Sequence, residues 1–238
     1  MQFFLLPDRK YDMNTKIILS MILLLSISIY PQINREEALK KGGWSGGLAG
    51  WLGWENFDLS ENSDDVTKKS KVDGFNFIFS SRNGSIVEDN GVFGFDFQWR
   101  ERNRTATPDP NPENRSEAIN ENVWFLGLWA RYYIPFGGNF AMYFEGSGGY
   151  ASYSQKNETI TTLEYFYYNK DAYANGFAYN AGIGISHFVS SNAAFEITGR
   201  WEGGSLNGDT EDNMGAKNPL NVKLGNIFII FGFQVYLR

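Results

Sequence analysis

An aromatic ring occupies every second position of the stretch Phe93-Gly94-Phe95-Asp96-Phe97-Gln98-Trp99-Arg100. Successive side chains of a β-strand point to opposite faces, so a period of two predicts a strand. One face of this strand is aromatic, and the other carries Gly, Asp, Gln and Arg. Residues 75–79 and 231–237 repeat the pattern. A strand with one apolar and one polar face suits a transmembrane β-barrel, apolar toward lipid and polar toward the lumen.

The composition narrows the class of protein. The chain has 238 residues, of which 42% are hydrophobic, 17% are aromatic and 26 are glycine, which suits a single β-rich domain. A mean hydropathy of −0.35 excludes a helical membrane protein. The net charge of −6 argues against nucleic acid as a partner. Cysteine is absent, so disulfides, thiolate metal sites and cysteine nucleophiles are excluded.

An apolar run of 13 residues occupies positions 17–29, directly after Lys16. A helix needs about 20 apolar residues to cross a bilayer, so the run reads as a secretory signal peptide that starts at Met13. A buried helix is the alternative. We therefore predict an N-terminal extension and signal peptide at 1–31, a short polar lead-in at 32–41 and a barrel at 42–238, exported to the cell envelope.

Apolar-periodic runs alternate with polar connections from residue 42 onward. We predict eight strands, near residues 43–55, 71–81, 91–101, 122–134, 139–153, 174–188, 193–203 and 221–237. The connections between them alternate between long (56–70, 102–121, 154–173, 204–220) and short (82–90, 135–138, 189–192). Outer-membrane barrels alternate in this way, with long extracellular loops. The prediction is an all-β, eight-stranded antiparallel up-and-down transmembrane β-barrel, irregular over 102–121.

A secreted lipocalin-like barrel also has eight alternating strands, and it is the alternative fold. Three features favour the membrane. The strand positions that alternate with the apolar ones are rich in glycine. Every lysine after residue 42 lies in a predicted loop or at a strand end. Trp and Tyr also cluster at strand ends, as in the aromatic girdles of membrane barrels. These girdle candidates are Trp44, Trp54, Trp99, Trp124, Trp201, Tyr133, Tyr153 and Tyr173.

Four segments carry a family resemblance. They are residues 84–94, Arg131-Tyr132-Tyr133 with Phe144-Glu145-Gly146, residues 182–192, and the closing stretch 231–237. Their order and spacing resemble the turns and terminal strand of small outer-membrane β-barrel proteins of the OmpX/OmpA-like class of Gram-negative bacteria, from about residue 40 onward. The resemblance implies an outer-membrane location, contact with lipid and insertion by the barrel-assembly machinery. It implies no single activity.

The lumen of an eight-stranded barrel is just wide enough to be filled by side chains. Strand parity directs nine polar side chains inward: Arg100, Arg131, Glu145, Glu196 and Arg200, with Asp96, Gln98, Tyr133 and Gln234. Buried charges persist when they are paired, so we predict an Arg/Glu network that fills the lumen. A hairpin turn centred near residue 137 would place Arg131 opposite residue 143, one diagonal step from Glu145. The alternative is a gated ion path through this network.

Catalytic and metal signals are weak. The single histidine, His187, lies near the short connection at 189–192 and shares its parity with Ile183 and Ile185, which predicts an interfacial position. No H-E-x-x-H, G-x-S-x-G or P-loop pattern occurs. The acidic runs at 58–65 and 209–212 lack EF-hand spacing. We therefore expect no enzyme activity, no cofactor and no metal.

Four consecutive aromatic residues, Tyr165-Phe166-Tyr167-Tyr168, stand within the long connection at 154–173. They predict either a partner-binding loop tip or a strand that continues above the membrane. The function expected from the sequence is a monomeric outer-membrane barrel with a structural or surface-recognition role, which acts through its extracellular loops on a possible extracellular ligand. A narrow channel is the first alternative, and a lipid-modifying membrane enzyme is the second.

Overall fold

The computed structural model describes residues 35–63, 66–109, 115–161, 169–212 and 214–238. The predicted signal peptide and the aromatic run at 165–168 lie outside these residues. A short helix and eight strands follow one another: α1 (Arg35–Ala38), β1 (Trp44–Ser63), β2 (Val66–Glu88), β3 (Gly91–Asp109), β4 (Arg115–Phe136), β5 (Phe140–Thr161), β6 (Asn169–Ser190), β7 (Ala193–Asp212) and β8 (Lys217–Leu237). Within the described ranges, no helix is long and apolar enough to cross a membrane.

Each strand pairs antiparallel with the next, and β8 pairs back onto β1, which closes the ring. The predicted eight-stranded up-and-down barrel is therefore confirmed. Three connections are tight and lie at one end of the ring, between β2 and β3, β4 and β5, and β6 and β7. Asn90 (φ 68°) and Gly137 (φ 46°) supply the left-handed backbone that two of these turns require. We name this end the turn end, and the opposite end the extended end.

The strands run much farther toward the extended end than the sequence predicted. β3 and β4 pair as far as Ala106 with Glu117, so the prediction of an irregular loop over 102–121 was wrong for most of its length. Here Arg104 donates to Glu121 at 2.7 Å across the two strands. The prediction ended each strand where the apolar parity ended. The antiparallel backbone ladder does not depend on an apolar face, and polar cross-strand pairs continue it.

The outer face of the ring is apolar. Large side chains there remain exposed, for example Phe95 and Phe177, each at 62%. We name this surface the apolar belt; its members include Leu48, Leu52, Phe93, Phe97, Leu126, Leu128, Phe144, Ile183, Ile185, Phe195, Ile197, Ile227, Ile229, Phe231 and Phe233. Charged side chains such as Arg131 and Glu196 are buried inside. This polarity is the reverse of a soluble barrel, and it excludes the lipocalin-like alternative.

The lead-in segment closes the turn end, which the sequence did not predict. Ala38 and Leu39, 5% and 1% exposed, pack into a buried cluster with Ile86, Val92, Trp129, Tyr133, Ala141, Tyr143, Phe188, Ala194 and Tyr236. Arg35 Nη1 donates to the carbonyl oxygens of Gly138 and Phe140 at 3.0 and 2.8 Å. The segment thus caps the barrel with an apolar floor.

Candidate functional site

The carboxylate of Glu145, on β5, is the centre of a buried ionic network. Arg131 lies directly opposite on β4 and donates to Glu145 Oε2 from Nη2 at 2.7 Å and from Nε at 3.1 Å. Arg200, on β7, donates to Oε1 at 2.9 Å. Arg82, on β2, donates to Oε2 from the other side of the lumen. Three guanidinium groups from three strands therefore converge on one carboxylate, and every side chain is at most 3% exposed.

Two further carboxylates balance these arginines. Glu196 Oε1 accepts a hydrogen bond from Arg131 Nη1 at 2.6 Å and another from Ser186 Oγ at 2.8 Å. Asp96 accepts hydrogen bonds from Ser147 at 3.0 Å, Ser80 at 3.2 Å and Gln98 at 2.8 Å, and its Oδ2 lies 3.7 Å from Arg200. Arg82, Arg131 and Arg200 thus meet Glu145, Glu196 and Asp96 with equal and opposite formal charge. Ions taken out of water persist in such matched, hydrogen-bonded sets.

Aromatic rings hold the Arg131 guanidinium from several sides. Its central carbon lies 3.9 Å from the ring centroid of Tyr143, 5.0 Å from that of Trp129 and 5.4 Å from that of Tyr133. Contacts of this kind between a cation and a ring face are attractive, more so when water is excluded. The hydroxyl groups of Tyr133 and Tyr236 lie 2.9 Å apart and join β4 to β8. The network therefore rests directly on the aromatic floor of the turn end.

An apolar layer lines part of the interior on the extended-end side of the network. It consists of Val123, Phe125, Ala151, Tyr153, Ala172, Ala174, Ala178, Leu206 and Leu224, with Leu220 and Val222 packed against it. We name this set the upper layer. Ala151 and Leu206 lie six positions beyond Glu145 and Arg200 on the same strands. Along the lumen, the order from the turn end is apolar floor, ionic network and upper layer.

Four of the five network residues named from the sequence meet in the structure: Arg131, Glu145, Glu196 and Arg200. Arg100 does not join them, since it pairs with Glu202 at 2.6 Å. The predicted register was also wrong: Arg131 lies opposite Glu145, not opposite residue 143. β4 and β5 pair through Phe136 and Phe140, so the turn is centred on residue 138. A turn displaced by one residue moves every opposite position by two.

Arg82 is the member of the network that sequence reasoning missed. The predicted strand ended at residue 81, whereas β2 continues to Glu88. The signal was present, because Arg82 shares its parity with Ile78 and Ser80, and all three are buried. Extending the alternation by one position would have placed Arg82 in the lumen.

Other residues singled out from the sequence lie elsewhere. His187 is partly exposed near the turn end, and its ring centroid lies 4.6 Å from that of Phe140, so it takes no part in the network. The prediction of Tyr133 and Tyr153 as girdle residues was wrong, since the two side chains face inward and are 0% and 8% exposed. Strand parity had already directed Tyr133 inward. Within the described ranges, no group of three His, Cys, Asp or Glu side chains could hold a metal ion.

A ring of eight strands with an apolar exterior and paired charges inside is a transmembrane β-barrel with a side-chain-filled interior. No protein-family model matches this chain, so the OmpX/OmpA-like resemblance is not confirmed, and no curated protein matches it. The chain is similar to the outer membrane protease OmpT from Escherichia coli, with a TM-score of 0.55 and 14% identity over 82% of this chain and 79% of that one.

Two other outer-membrane proteins are also similar in structure. A major outer membrane protein from Thermus thermophilus has a TM-score of 0.46 and 12% identity over 82% of this chain and 100% of that chain. OprG from Pseudomonas aeruginosa has a TM-score of 0.42 and 13% identity over 85% of this chain and 99% of that chain. At these identities the likeness shows the fold alone.

Proposed function

We propose that this chain is an integral outer-membrane protein of a Gram-negative envelope, of the OmpX/OmpA-like kind, exported by its signal peptide and inserted by the barrel-assembly machinery. The single observation that carries the proposal is the reversed polarity of the barrel. Removing apolar surface from water contributes about 25 cal/mol of stabilisation for each Å². Lipid around the ring would remove the apolar belt from water. The chain acts as a monomer without enzyme activity, and its role is structural or in surface recognition.

Strand length supports the recognition role. β2 and β4 have 23 and 22 residues. At about 3.3 Å per residue and a tilt of about 40°, such strands rise roughly 55 Å, whereas the apolar band of an outer-membrane barrel is about 25 Å tall. With the turn end in the periplasm, about half of the barrel height stands outside the bilayer. We name this part the collar. β1 connects to β2, β3 to β4, β5 to β6 and β7 to β8 at the extended end. These four connections would present a surface to an extracellular ligand.

Exposed aromatic pairs support an outer boundary for the lipid. Trp124 contacts Tyr150, with ring centroids 5.5 Å apart, and Trp201 contacts Tyr179 at 5.4 Å. Two positions farther along the outer face, Asn122 follows Trp124 and Ser152 follows Tyr150, whereas on β6 the apolar surface continues to Phe177. Amphipathic rings of this kind sit at the level of the lipid headgroups. These rings form the outer girdle in our proposal.

Heat-modifiable gel migration tests the membrane-barrel proposal. The purified protein, refolded into lipid vesicles and left unboiled, is expected to migrate differently from the boiled protein, because the closed ring resists detergent until heat separates its strands. The measurement is gel electrophoresis of paired boiled and unboiled samples after vesicle flotation. Unchanged migration, together with partition into the aqueous phase, would contradict the proposal.

Planar-bilayer recording tests whether the interior is closed. We expect no stable single-channel steps from the refolded protein, because the ionic network and the aromatic floor fill the lumen with paired side chains. A large water-filled porin in the same bilayers controls for detection. Stable steps that disappear in an Arg131→Ala variant would contradict the closed interior and support the narrow-channel alternative.

The position of His187 supports a role without catalysis. Its ring packs beside Phe140 at the turn end, whereas an enzyme that acts on outer-leaflet lipid needs its catalytic groups at the opposite, extracellular rim. OmpT is a protease, but the likeness to OmpT concerns the fold. The lipid-modifying alternative would need its catalytic groups at the extended end, where His187 does not lie.

A further inference from the structure

The wall of the barrel is incompletely paired at one place. β1 and β8 pair from Trp44 with Leu237 to Gly50 with Phe231. On its other side, β1 pairs with β2 along its whole length, from Trp44 to Ser63. Within the described residues, no register pair joins residues 51–63 of β1 to residues 217–230 of β8. We name these two facing edges the seam.

The seam begins at lipid depth. The outward side chains nearest to the last pair belong to the apolar belt: Leu52 is 49% exposed, Ile229 is 59% exposed and Phe231 is 57% exposed. Unpaired backbone N–H and C=O groups in hydrocarbon cost several kcal/mol each, so open sheet edges are not left facing lipid. A seam at this depth is therefore stable in lipid only while its two edges pair, because hydrocarbon cannot form hydrogen bonds with the unpaired backbone groups.

An apolar groove of about 390 Å³ lies on the outer face beside the start of the seam. On the outer face it is lined by rings that include Phe79, Phe195 and Phe233. It is also lined by Ala49 and Ile78, which face the interior and are only 6% and 4% exposed. Gly50 and Gly232 also line the groove.

The interior side of the seam is apolar as well. Leu224 and Ile230, on β8, are 9% and 1% exposed, and Leu224 belongs to the upper layer. Opposite, Trp51 is paired in register with Ile78 on the inward parity. Arg100 and Glu202 neutralise each other at 2.6 Å. Apolar side chains therefore line both faces of the wall at the start of the seam, and the upper layer lies farther along its interior face.

We propose that the seam is a lateral port, through which a small apolar molecule with an extended hydrocarbon chain passes between the bilayer and the upper layer. The proposal rests on the membrane location proposed above. The occupant follows from the chemistry of the seam, because the seam begins at lipid depth and apolar side chains line both faces of the wall there. A water-soluble solute would meet no compensating polar surface in the groove.

The sequence of the two edges shows how the port closes. If the register between β1 and β8 continued along the seam, residue 52 would lie opposite residue 229. Farther along, Asp58 would lie opposite Lys223. The β1 edge carries three acidic residues and no basic residue, and the β8 edge carries two lysines and no acidic residue. Opposite charges on facing strands favour pairing. When the port is closed, the backbone N–H and C=O groups of the two edges would hydrogen-bond to each other. They would separate only while the apolar molecule passes.

Engineered cysteine pairs test the port, since the natural chain has no cysteine. The seam variant combines Leu52→Cys with Ile229→Cys, which can form a disulfide only when the edges close, because the two Cα atoms must come within about 7 Å. The control variant combines Trp44→Cys with Leu237→Cys, an existing register pair on the same outer face that does not line the groove. A second seam variant, Trp54→Cys with Ile227→Cys, serves if the first does not insert into vesicles.

The readout is quenching of Trp51 by 1-bromododecane added to lipid vesicles that contain the protein. A Trp51→Phe version of each variant provides the background from the other tryptophans. We expect quenching of Trp51 in the reduced seam variant, its loss after oxidation, and no change on oxidation of the control variant. Iodide, a water-soluble quencher, should not reproduce the effect.

Two results would overturn the port. One is quenching of Trp51 that persists unchanged in the oxidised seam variant. The other is failure of both seam variants to oxidise under conditions that oxidise the control variant, because the edges would then not close. Failure of the proposed membrane location is distinguishable, since the unmodified protein would then not float with vesicles or show heat-modifiable migration.

Discussion

Replacing Glu145 with alanine is expected to lower the free energy of unfolding of the barrel by about 3–5 kcal/mol, the range found when one partner of a buried ion pair is removed. The carboxylate accepts hydrogen bonds from Arg82, Arg131 and Arg200 in a site with almost no solvent. Without it, three buried guanidinium groups share two carboxylates. The measurement is a urea titration of the protein in lipid vesicles, monitored by tryptophan fluorescence.

Glu158→Ala is the matched control, since Glu158 lies on the same strand but is exposed, and surface substitutions usually change stability by less than about 0.5 kcal/mol. A double variant, Arg82→Leu with Glu145→Leu, restores equal numbers of positive and negative charges. It should lose less stability than the sum of its two single variants. Equal stability of the Glu145→Ala and Glu158→Ala proteins would contradict the structural importance of the network.

A lysine in place of Phe95 is expected to destabilise the barrel by about 2–4 kcal/mol in lipid vesicles, the cost of a lysine on the lipid face at the bilayer midplane. Phe95 is 62% exposed in the middle of the aromatic parity of β3. An exposed phenylalanine on a soluble protein would tolerate this change well. A loss of stability would therefore indicate that lipid surrounds Phe95. The same urea titration measures this loss.

Thr105→Lys is the control for that substitution. Thr105 lies on the same strand and parity, ten positions nearer the extended end, and is exposed. At about 3.3 Å per residue, it stands some 33 Å farther along the strand, in the proposed collar outside the bilayer. Its stability should be close to that of the unsubstituted protein. If the two lysine variants lost the same stability, the apolar belt would not mark the lipid.

The fold was predictable because strand parity is a local property. A single strand such as β3 shows which of its faces is apolar, and eight such strands with alternating connections leave few other architectures. Strand length was not predictable in the same way. Toward the extended end, the polar residues around Arg104 are typical of a loop in the sequence. In the structure, their backbones pair across strands in the same way as those of apolar residues.

The ionic network was partly predictable for the same reason. Parity alone directed Arg131, Glu145, Glu196 and Arg200 inward, and buried charges had to find partners. Which charges meet depends on register, and a displacement of one residue at the β4–β5 turn was enough to misplace the partner of Arg131. The separation of Arg100 from the network has the same origin, since its depth in the lumen depends on the register of the strands around it.

The seam was hidden from the sequence altogether. In the sequence, residues 51–55 and 221–230 belong to predicted strands and residues 56–63 and 217–220 to predicted connections, and the charges of the two edges even favour pairing. The amino-acid sequence by itself determined which face of every strand meets lipid, because the period of two is written in consecutive residues. Only the tertiary structure decided which charges meet and where the ring stays unpaired, because these depend on register and closure between strands far apart in the chain.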